Sequence, residues 1–161
     1  MSSTPLRDLF AGASRRDVLR LGGLAALGAG LAACSEVKAE PRKIKWGRDT
    51  CEFCHMVFAD RRFAAEVWEP ENNRARIYDD FGCAVLAASE NGLADRDEVP
   101  FWVTDDADPA RWLDARAAHY RDDATTPMGY SHSAGLSPAH RLDFHAAVKA
   151  IRDKATCEHR T

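Results

Sequence analysis

The feature that most constrains this chain is a cluster of soft metal donors within six consecutive residues, 51–56. It contains the thiols of Cys51 and Cys54, the imidazole of His55 and the thioether of Met56. Thiolate and thioether sulfur select Cu(I) over hard cations, because soft ligands bind soft ions. A structural zinc site usually takes four Cys or His ligands from two paired clusters, and no second Cys-x-x-Cys pair follows here. The stretch therefore favours a Cu(I) site.

The conformation of this stretch decides which donors share a side. Residues 57–63 have the character of strand and turn, so we predict an extended chain through the motif. In an extended chain Cys54 and Met56 point to one side and His55 to the other, with Cys51 on the turn that leads in. A helical turn would instead group Cys51, Cys54 and His55 and leave Met56 out.

A Cys-x-x-Cys pair also has uses that need no metal. In an oxidising compartment Cys51 and Cys54 would form a disulfide or act as a thiol redox pair. Met56 would then be core filler before a buried strand. Metal binding is favoured, thiol–disulfide oxidoreductase activity is the alternative function, and a structural zinc domain is the third hypothesis because no four-ligand set is obvious.

Composition limits the other classes of function. The chain has 161 residues, enough for one domain with a core, and its formal charge of −3 offers no overall basic footprint for nucleic acid. Its five cysteines are too few for a disulfide-stapled scaffold of this length. No nucleophile elbow, phosphate loop or dinucleotide fingerprint occurs, so we predict that the protein is not an enzyme.

The N-terminal residues have the form of an export signal. Residues 14–20, SRRDVLR, match the twin-arginine pattern and precede an apolar run that is too short to span a membrane. The run ends in Leu-Ala-Ala-Cys34, which resembles a bacterial lipoprotein box whose Cys is lipidated. The alternative is an ordinary cleaved signal with an incidental Cys. We predict a lipoprotein signal peptide over residues 1–33, lipidation of Cys34 and a membrane-tethered protein in the periplasm.

The remaining chain divides by composition. Residues 34–45 are polar and are predicted to be a flexible tether, residues 46–155 the metal-binding domain and residues 156–161 a polar tail. The tail contains Cys157 and His159, a remote candidate for a second, mobile metal-catching pair.

Hydrophobic periodicity predicts an α+β domain. Strands at residues 62–68 and 74–78 around a turn form a β-hairpin, and a helix from Phe81 ends at Asn91-Gly92. Asp79 and Asp80 precede this helix and are predicted to cap it rather than bind metal. Cys83 lies among apolar helix residues and is predicted to be a small buried side chain.

The second half has weaker signals. We predict a strand at residues 99–104, a short helical piece that holds Trp112 and a strand at residues 116–120. A final helix is predicted from Pro138 to about Lys154. The order of elements predicts two similar ββα units packed together.

Five segments in this order resemble one family, the NosL accessory proteins of nitrous oxide reductase. They are DTCEFCHM at 49–56, RFAAE at 62–66, YDDFGC at 78–83, WLDARAAHY at 112–120 and TPMGY at 126–130. The resemblance rests on the five segments occurring together in this order, and they cover most of the predicted domain. The lipoprotein signal fits the same family.

The resemblance implies a function and a setting. It implies a periplasmic, membrane-tethered Cu(I) chaperone that supplies copper to the copper–sulfide centre of nitrous oxide reductase during denitrification. The implied partners are nitrous oxide reductase or its maturation machinery, and a homodimer bridged by copper is compatible with it. The implied fold is α+β with paired ββα units, similar to the organomercurial lyase core.

The resemblance also ranks the metal ligands. The family's Cys-x-Met element maps onto Cys54 and Met56, with His55 where many members have Gly. The Cys54 thiolate would neutralise the charge of Cu(I), and the Met56 thioether would weaken the site enough for release. Met128 is the candidate third donor, with core packing as its alternative. Cys51 is a ligand, a disulfide partner of Cys54 or a structural residue.

The nitrogen donors rank lower, because a lone His is more often a solvated surface residue. In order of rank, the predicted metal-site residues are Cys54, Met56, Met128, Cys51, His55 and His132.

Overall fold

The structure is a computed structural model that describes residues 38–158 of the chain. The predictions for residues 1–33, for Cys34 and for His159 lie outside the described residues. Lys38–Thr161 form one compact unit, and the buried apolar cluster of the described residues extends from Ile44 to Ile151. A unit with its own core can fold without the residues before it. Within residues 38–158, no helix combines the length and apolar character that crossing a bilayer requires.

The described residues form six strands and two α-helices, with short 3-10 helices at Arg61–Phe63 and Pro70–Asn72. In chain order the elements are β1 (Ala65–Glu69), β2 (Arg74–Tyr78), α1 (Phe81–Glu90), β3 (Phe101–Thr104), β4 (Trp112–Asp114), β5 (His119–Arg121), β6 (Ser133–Gly135) and α2 (Phe144–Glu158). The main sheet is antiparallel with strand order β2-β1-β3-β4, and β5 pairs with β6 in a separate sheet. This mixture of helices and antiparallel sheets is compatible with the predicted α+β class.

The first half follows the sequence pattern closely. β1 and β2 form the predicted hairpin, and β2 has the predicted bounds. α1 begins after Asp80, because the Asp80 side chain accepts a 2.8 Å hydrogen bond from the backbone N–H of Gly82. It ends just before Gly92, which takes a left-handed φ of 65° that favours glycine.

The second half differs from the predictions in its strands. Trp112, predicted to be helical, lies in β4, where it pairs with Thr104 of β3. The strand predicted at residues 116–120 begins only at His119, because a turn precedes it in which the N–H of Ala118 donates to the carbonyl of Asp114 at 2.9 Å. Four strands in two sheets therefore precede the last helix, and among residues 38–158 a ββα unit is formed only in the first half.

The last helix begins at Phe144 and not near Pro138. Leu142 is held in an antiparallel bridge with Tyr120, through backbone hydrogen bonds of 2.8 and 2.9 Å. Asp143 then accepts a 2.8 Å hydrogen bond from the N–H of Ala146, as a helix N-cap does. α2 continues to Glu158, so the first residues of the segment predicted to be a polar tail are helical.

An aromatic core joins both helices to the sheets. The rings of Phe81 in α1 and Tyr120 in β5 stack at 4.6 Å, and Phe101 of β3 meets Phe144 of α2 edge-on at 5.5 Å. Pairs of this geometry contribute about 0.5–1.5 kcal/mol beyond the burial of their surface. The core therefore fixes the position of α1, whose first turn contributes to the site described below.

Residues 42–58 pack against the sheet as part of the folded domain. The N–H of Arg42 donates to the carboxylate of Glu66 in β1 at 2.7 Å, and Ile44 is buried. The N–H of Glu52 donates to the carbonyl of Ile77 at 3.0 Å, which attaches this segment to β2, the edge strand. The end of the predicted flexible tether, from Arg42 onward, is thus held in place, and so is the donor-rich stretch.

Candidate metal centre

The donor-rich stretch folds into a tight loop. The N–H of Cys51 donates to the carbonyl of Met56 at 2.8 Å, and the carbonyl of Cys51 accepts from the N–H of His55 at 3.1 Å. The second bond closes a single helix-like turn, which ends at His55 in the left-handed region with φ 63°. Cys51 and Cys54, three residues apart on this turn, lie on the same side.

This loop replaces the extended chain that we predicted. Extended alternation would place Cys54 beside Met56, but the structure brings Cys54 beside Cys51 and leaves Met56 57% exposed. The reason is that the backbone hydrogen bonds of the loop close locally, while Glu52 uses its N–H to hold the edge strand β2.

Two residues around the start of α1 complete a cluster of four candidate ligands. The Sγ atoms of Cys51, Cys54 and Cys83 and a carboxylate oxygen of Asp79 all lie within 4.8 Å of one another. The Cys54 thiol donates to Oδ1 of Asp79 at 3.3 Å. Asp79 follows β2 directly and Cys83 lies in the first turn of α1, so the hairpin and helix position one half of the cluster and the loop positions the other. This group can hold a metal ion.

The cluster is buried on one side and open on the other. Cys51 and Cys83 are fully buried and Asp79 is 2% exposed, whereas Cys54 is half-buried. Among the four ligands, Cys54 is therefore the one that solvent or a partner protein reaches first.

Burial and mutual hydrogen bonding shift the pKa values of all four groups. A hydrogen bond from the Cys83 thiol lowers the pKa of Cys51 to about 4, and the same bond together with burial raises the pKa of Cys83 far above its ordinary value. Burial raises the pKa of Cys54 to about 12 and that of Asp79 to about 6. Cys51 is therefore the most readily ionised of the three thiols, and a metal ion would displace the protons of the other two.

The chemistry of the donors narrows the class of metal. Three sulfurs and one carboxylate suit soft and borderline cations such as Cu(I) and Zn²⁺. Mg²⁺ and Ca²⁺ prefer ligand sets made of oxygen.

The structure brings only two of the predicted ligands, Cys51 and Cys54, into the cluster. Met56 and Met128 are exposed, by 57% and 39%. Met56 nevertheless closes the loop on Cys51, and the N–H of Met128 donates to Oδ2 of Asp80, the residue after Asp79, at 2.9 Å.

The two predicted histidine donors lie outside the cluster. His55 is exposed at the end of the loop. His132 is 4% exposed, and its Nδ1 lies 2.6 Å from the carbonyl of Tyr130, which only accepts, so we assign the hydrogen to Nδ1. Its Nε2 is buried without a hydrogen-bond partner in the described part of the chain.

Sequence reasoning missed Asp79 and Cys83 as candidate ligands. Cys83 is buried as predicted and Asp80 caps α1, but Asp79 accepts a hydrogen bond from Cys54 rather than capping the helix. The available signal was spacing, because residues four apart across a helix start lie on one side.

No protein-family model, curated protein or solved structure matches this chain. The chemistry of the site therefore carries the functional argument.

Proposed function

We propose that this protein is a Cu(I) chaperone that holds copper at the cluster of Cys51, Cys54, Asp79 and Cys83 and passes it to an acceptor. The observation that carries the proposal is a group of three sulfurs and one carboxylate within 4.8 Å, of which a single sulfur is accessible. Sulfur-rich sites favour Cu(I). A chaperone must also release its metal, and half-buried Cys54 offers an incoming ligand of the acceptor a point of attack.

We assign the two exposed methionines to copper entry and release. Met56 and Met128 present thioethers on the two segments that are hydrogen-bonded to Cys51 and to Asp80, next to Asp79. A thioether binds Cu(I) without adding charge, so its hold on the metal is weaker than that of a thiolate. This is the weak, exchangeable contact that transfer between proteins requires.

The resemblance to the NosL family supplies the setting of the proposal. On that basis the protein is anchored in the periplasm through a lipid on Cys34, and its acceptor is nitrous oxide reductase or the maturation machinery of that enzyme. The order of the matching segments and the form of the signal sequence support this part.

The test is an anaerobic Cu(I) titration of the chain against a chromophoric chelator, with Zn²⁺ titrated in parallel. We expect competitive Cu(I) binding that is lost in Cys51→Ser and Cys83→Ser and that weakens in Met56→Leu. Cys157→Ser is the matched control, because Cys157 is an exposed thiol outside the cluster. Preference for Zn²⁺, or wild-type Cu(I) binding without Cys83, would refute the proposal.

Thiol–disulfide exchange is the competing function, because Cys51 and Cys54 are free and their sulfurs are close. Reactive redox thiols, however, combine a low pKa with exposure. Here the pKa is lowered at buried Cys51 and raised at accessible Cys54, the reverse of that requirement. A reversible Cys51–Cys54 disulfide in a protein that does not bind Cu(I) competitively would favour the redox function.

A further inference from the structure

A cleft of about 290 Å³ lies beside the first described residues, and none of the four residues of the cysteine cluster lines it. Its cationic and aromatic lining residues, which we call the docking face, are Arg42, Lys43, Trp46, Arg61 and Trp112. No acidic side chain is among the described residues that line this cleft. The face is locally basic although the whole chain has a formal charge of −3.

The face has three cations, of which Arg42 pairs with Asp49, whereas the other two form no ion pair within the described residues. Lys43 is exposed, and within residues 38–158 it forms no ion pair. Arg61 is also exposed and unpaired there, and its guanidinium carbon lies 5.0 Å from the ring centroid of Trp46. A guanidinium stacked on an indole keeps its N–H groups available to an anion.

The acidic residues close to this segment in the chain are already neutralised. Asp49 faces Arg42 at 3.4 Å, and Asp60 faces Arg62 at 2.7 Å. The unpaired cations therefore present an uncompensated positive charge to solvent.

The aromatic part of the face is firmly held. Trp46 packs edge-on against buried Phe58, with ring centroids 5.7 Å apart, and Trp112 of β4 pairs with Thr104 of β3 in the main sheet. Both indoles remain partly exposed. Partly exposed Trp beside Lys and Arg is the composition that settles at the interface between bilayer and water.

From these observations we propose that the docking face binds the surface of a bilayer rich in anionic phospholipid. The cations contact headgroup phosphates and the two indoles lie at the level of the headgroups. The occupant follows from charge complementarity and from position, because the face begins at Arg42, eight residues after Cys34. An extended tether of that length reaches about 25 Å, which keeps the face close to a membrane to which Cys34 is anchored.

This surface goes beyond copper binding and concerns different residues. One lipid anchor leaves a domain free to rotate on its tether, whereas a second contact at the docking face would restrict its orientation. The argument from position uses the proposed lipid on Cys34, but the charge and the aromatic residues are properties of the folded unit alone.

The experiment uses the unit of residues 38–161, which contains the described core and lacks the predicted lipid and apolar run. Its co-sedimentation is measured with phosphatidylcholine vesicles and with vesicles that also contain phosphatidylglycerol. We expect binding only to the anionic vesicles, and a decrease in binding as salt is added. Brominated lipid in those vesicles should quench tryptophan emission, less so in Trp112→Phe.

Variants identify the surface. Each Lys or Arg near an anionic bilayer contributes about fivefold to binding, so Lys43→Gln with Arg61→Gln should weaken binding by about 25-fold. Arg141→Gln with Lys149→Gln is the control, because it removes the same charge from exposed residues that do not line this cleft, and it should bind like the wild type.

Several results would overturn the proposal. They are equal binding to neutral vesicles, wild-type binding by the Lys43 and Arg61 double variant, absence of bromolipid quenching, and retention on soluble polyglutamate without vesicle binding. Because the double variant leaves the cysteine cluster intact, its Cu(I) titration should match the wild type. Failure of lipid docking is thus distinguishable from failure of copper binding.

Discussion

Glu66 makes the stability of this domain depend on pH in a way that one substitution should remove. Its side chain is fully buried in β1. One carboxylate oxygen accepts a hydrogen bond of 2.7 Å from the N–H of Arg42, and the other, Oε1, has no hydrogen-bond partner in the described structure. Burial raises the pKa of Glu66 from 4.5 to about 8. The folded state therefore favours the protonated acid.

Because the pKa of Glu66 is higher in the folded state, the domain loses stability as the pH rises. A group whose pKa is higher in the folded state binds more protons when folded, so its contribution is complete below pH 4.5 and is lost as the pH rises to about 8. Each unit of pKa shift corresponds to about 1.4 kcal/mol, so ionisation of Glu66 costs up to about 5 kcal/mol of unfolding free energy across this range.

The assay is urea unfolding across this pH range for the wild type, Glu66→Gln and the exposed control Glu71→Gln. In Glu66→Gln the amide oxygen can still accept the hydrogen bond from the N–H of Arg42. An amide does not ionise in this range, so any loss of unfolding free energy from a poorer hydrogen bond is independent of pH. We expect Glu66→Gln to gain stability relative to the wild type by about 1.4 kcal/mol per pH unit over most of the window. A pH-independent difference between the two proteins would refute the reasoning.

Three further predictions concern packing and access. Gly82→Ala would place a Cβ 2.2 Å from ring atoms of Tyr130 and should lower the unfolding free energy by about 1–3 kcal/mol in urea denaturation; wild-type stability would contradict this. Asp106→Ala removes the carboxylate that is hydrogen-bonded to the side chains of Ser133 and His140 and should lower the unfolding free energy by about 1–3 kcal/mol in urea denaturation. An unchanged unfolding free energy would show that these bonds contribute nothing to stability. In the native metal-free protein, an alkylating reagent should modify exposed Cys157 fastest and Cys54 more slowly. Bound Cu(I) should slow the modification of Cys54 and leave that of Cys157 unchanged, as measured by mass spectrometry of peptides; equal protection of these two thiols would contradict the site.

The features that sequence predicted correctly are those governed by local interactions. Alternating apolar residues set the bounds of β2, and the short side chain of Asp80 caps α1 without any help from distant residues. The proximity of Cys51 and Cys54 could be predicted for the same reason, since they lie only three positions apart.

The features that sequence predicted incorrectly depend on pairing between distant segments. Leu142 pairs with Tyr120, so α2 starts later than its apolar periodicity indicates. Trp112 joins a strand because β3 offers it a partner edge, and such pairing overrides local helix preference.

The soft donors of this protein, and the closeness of Cys51 and Cys54, can be read from the sequence. That Asp79 and Cys83 join them, and that Met56 is exposed to solvent, follows from the fold. The physical reason is that hydrogen bonding of the 51–56 loop to the edge of β2 and the cap at Asp80 orient two segments of the chain toward one point. Ligand types can be read from sequence, but their convergence depends on hydrogen bonds between residues far apart in the chain.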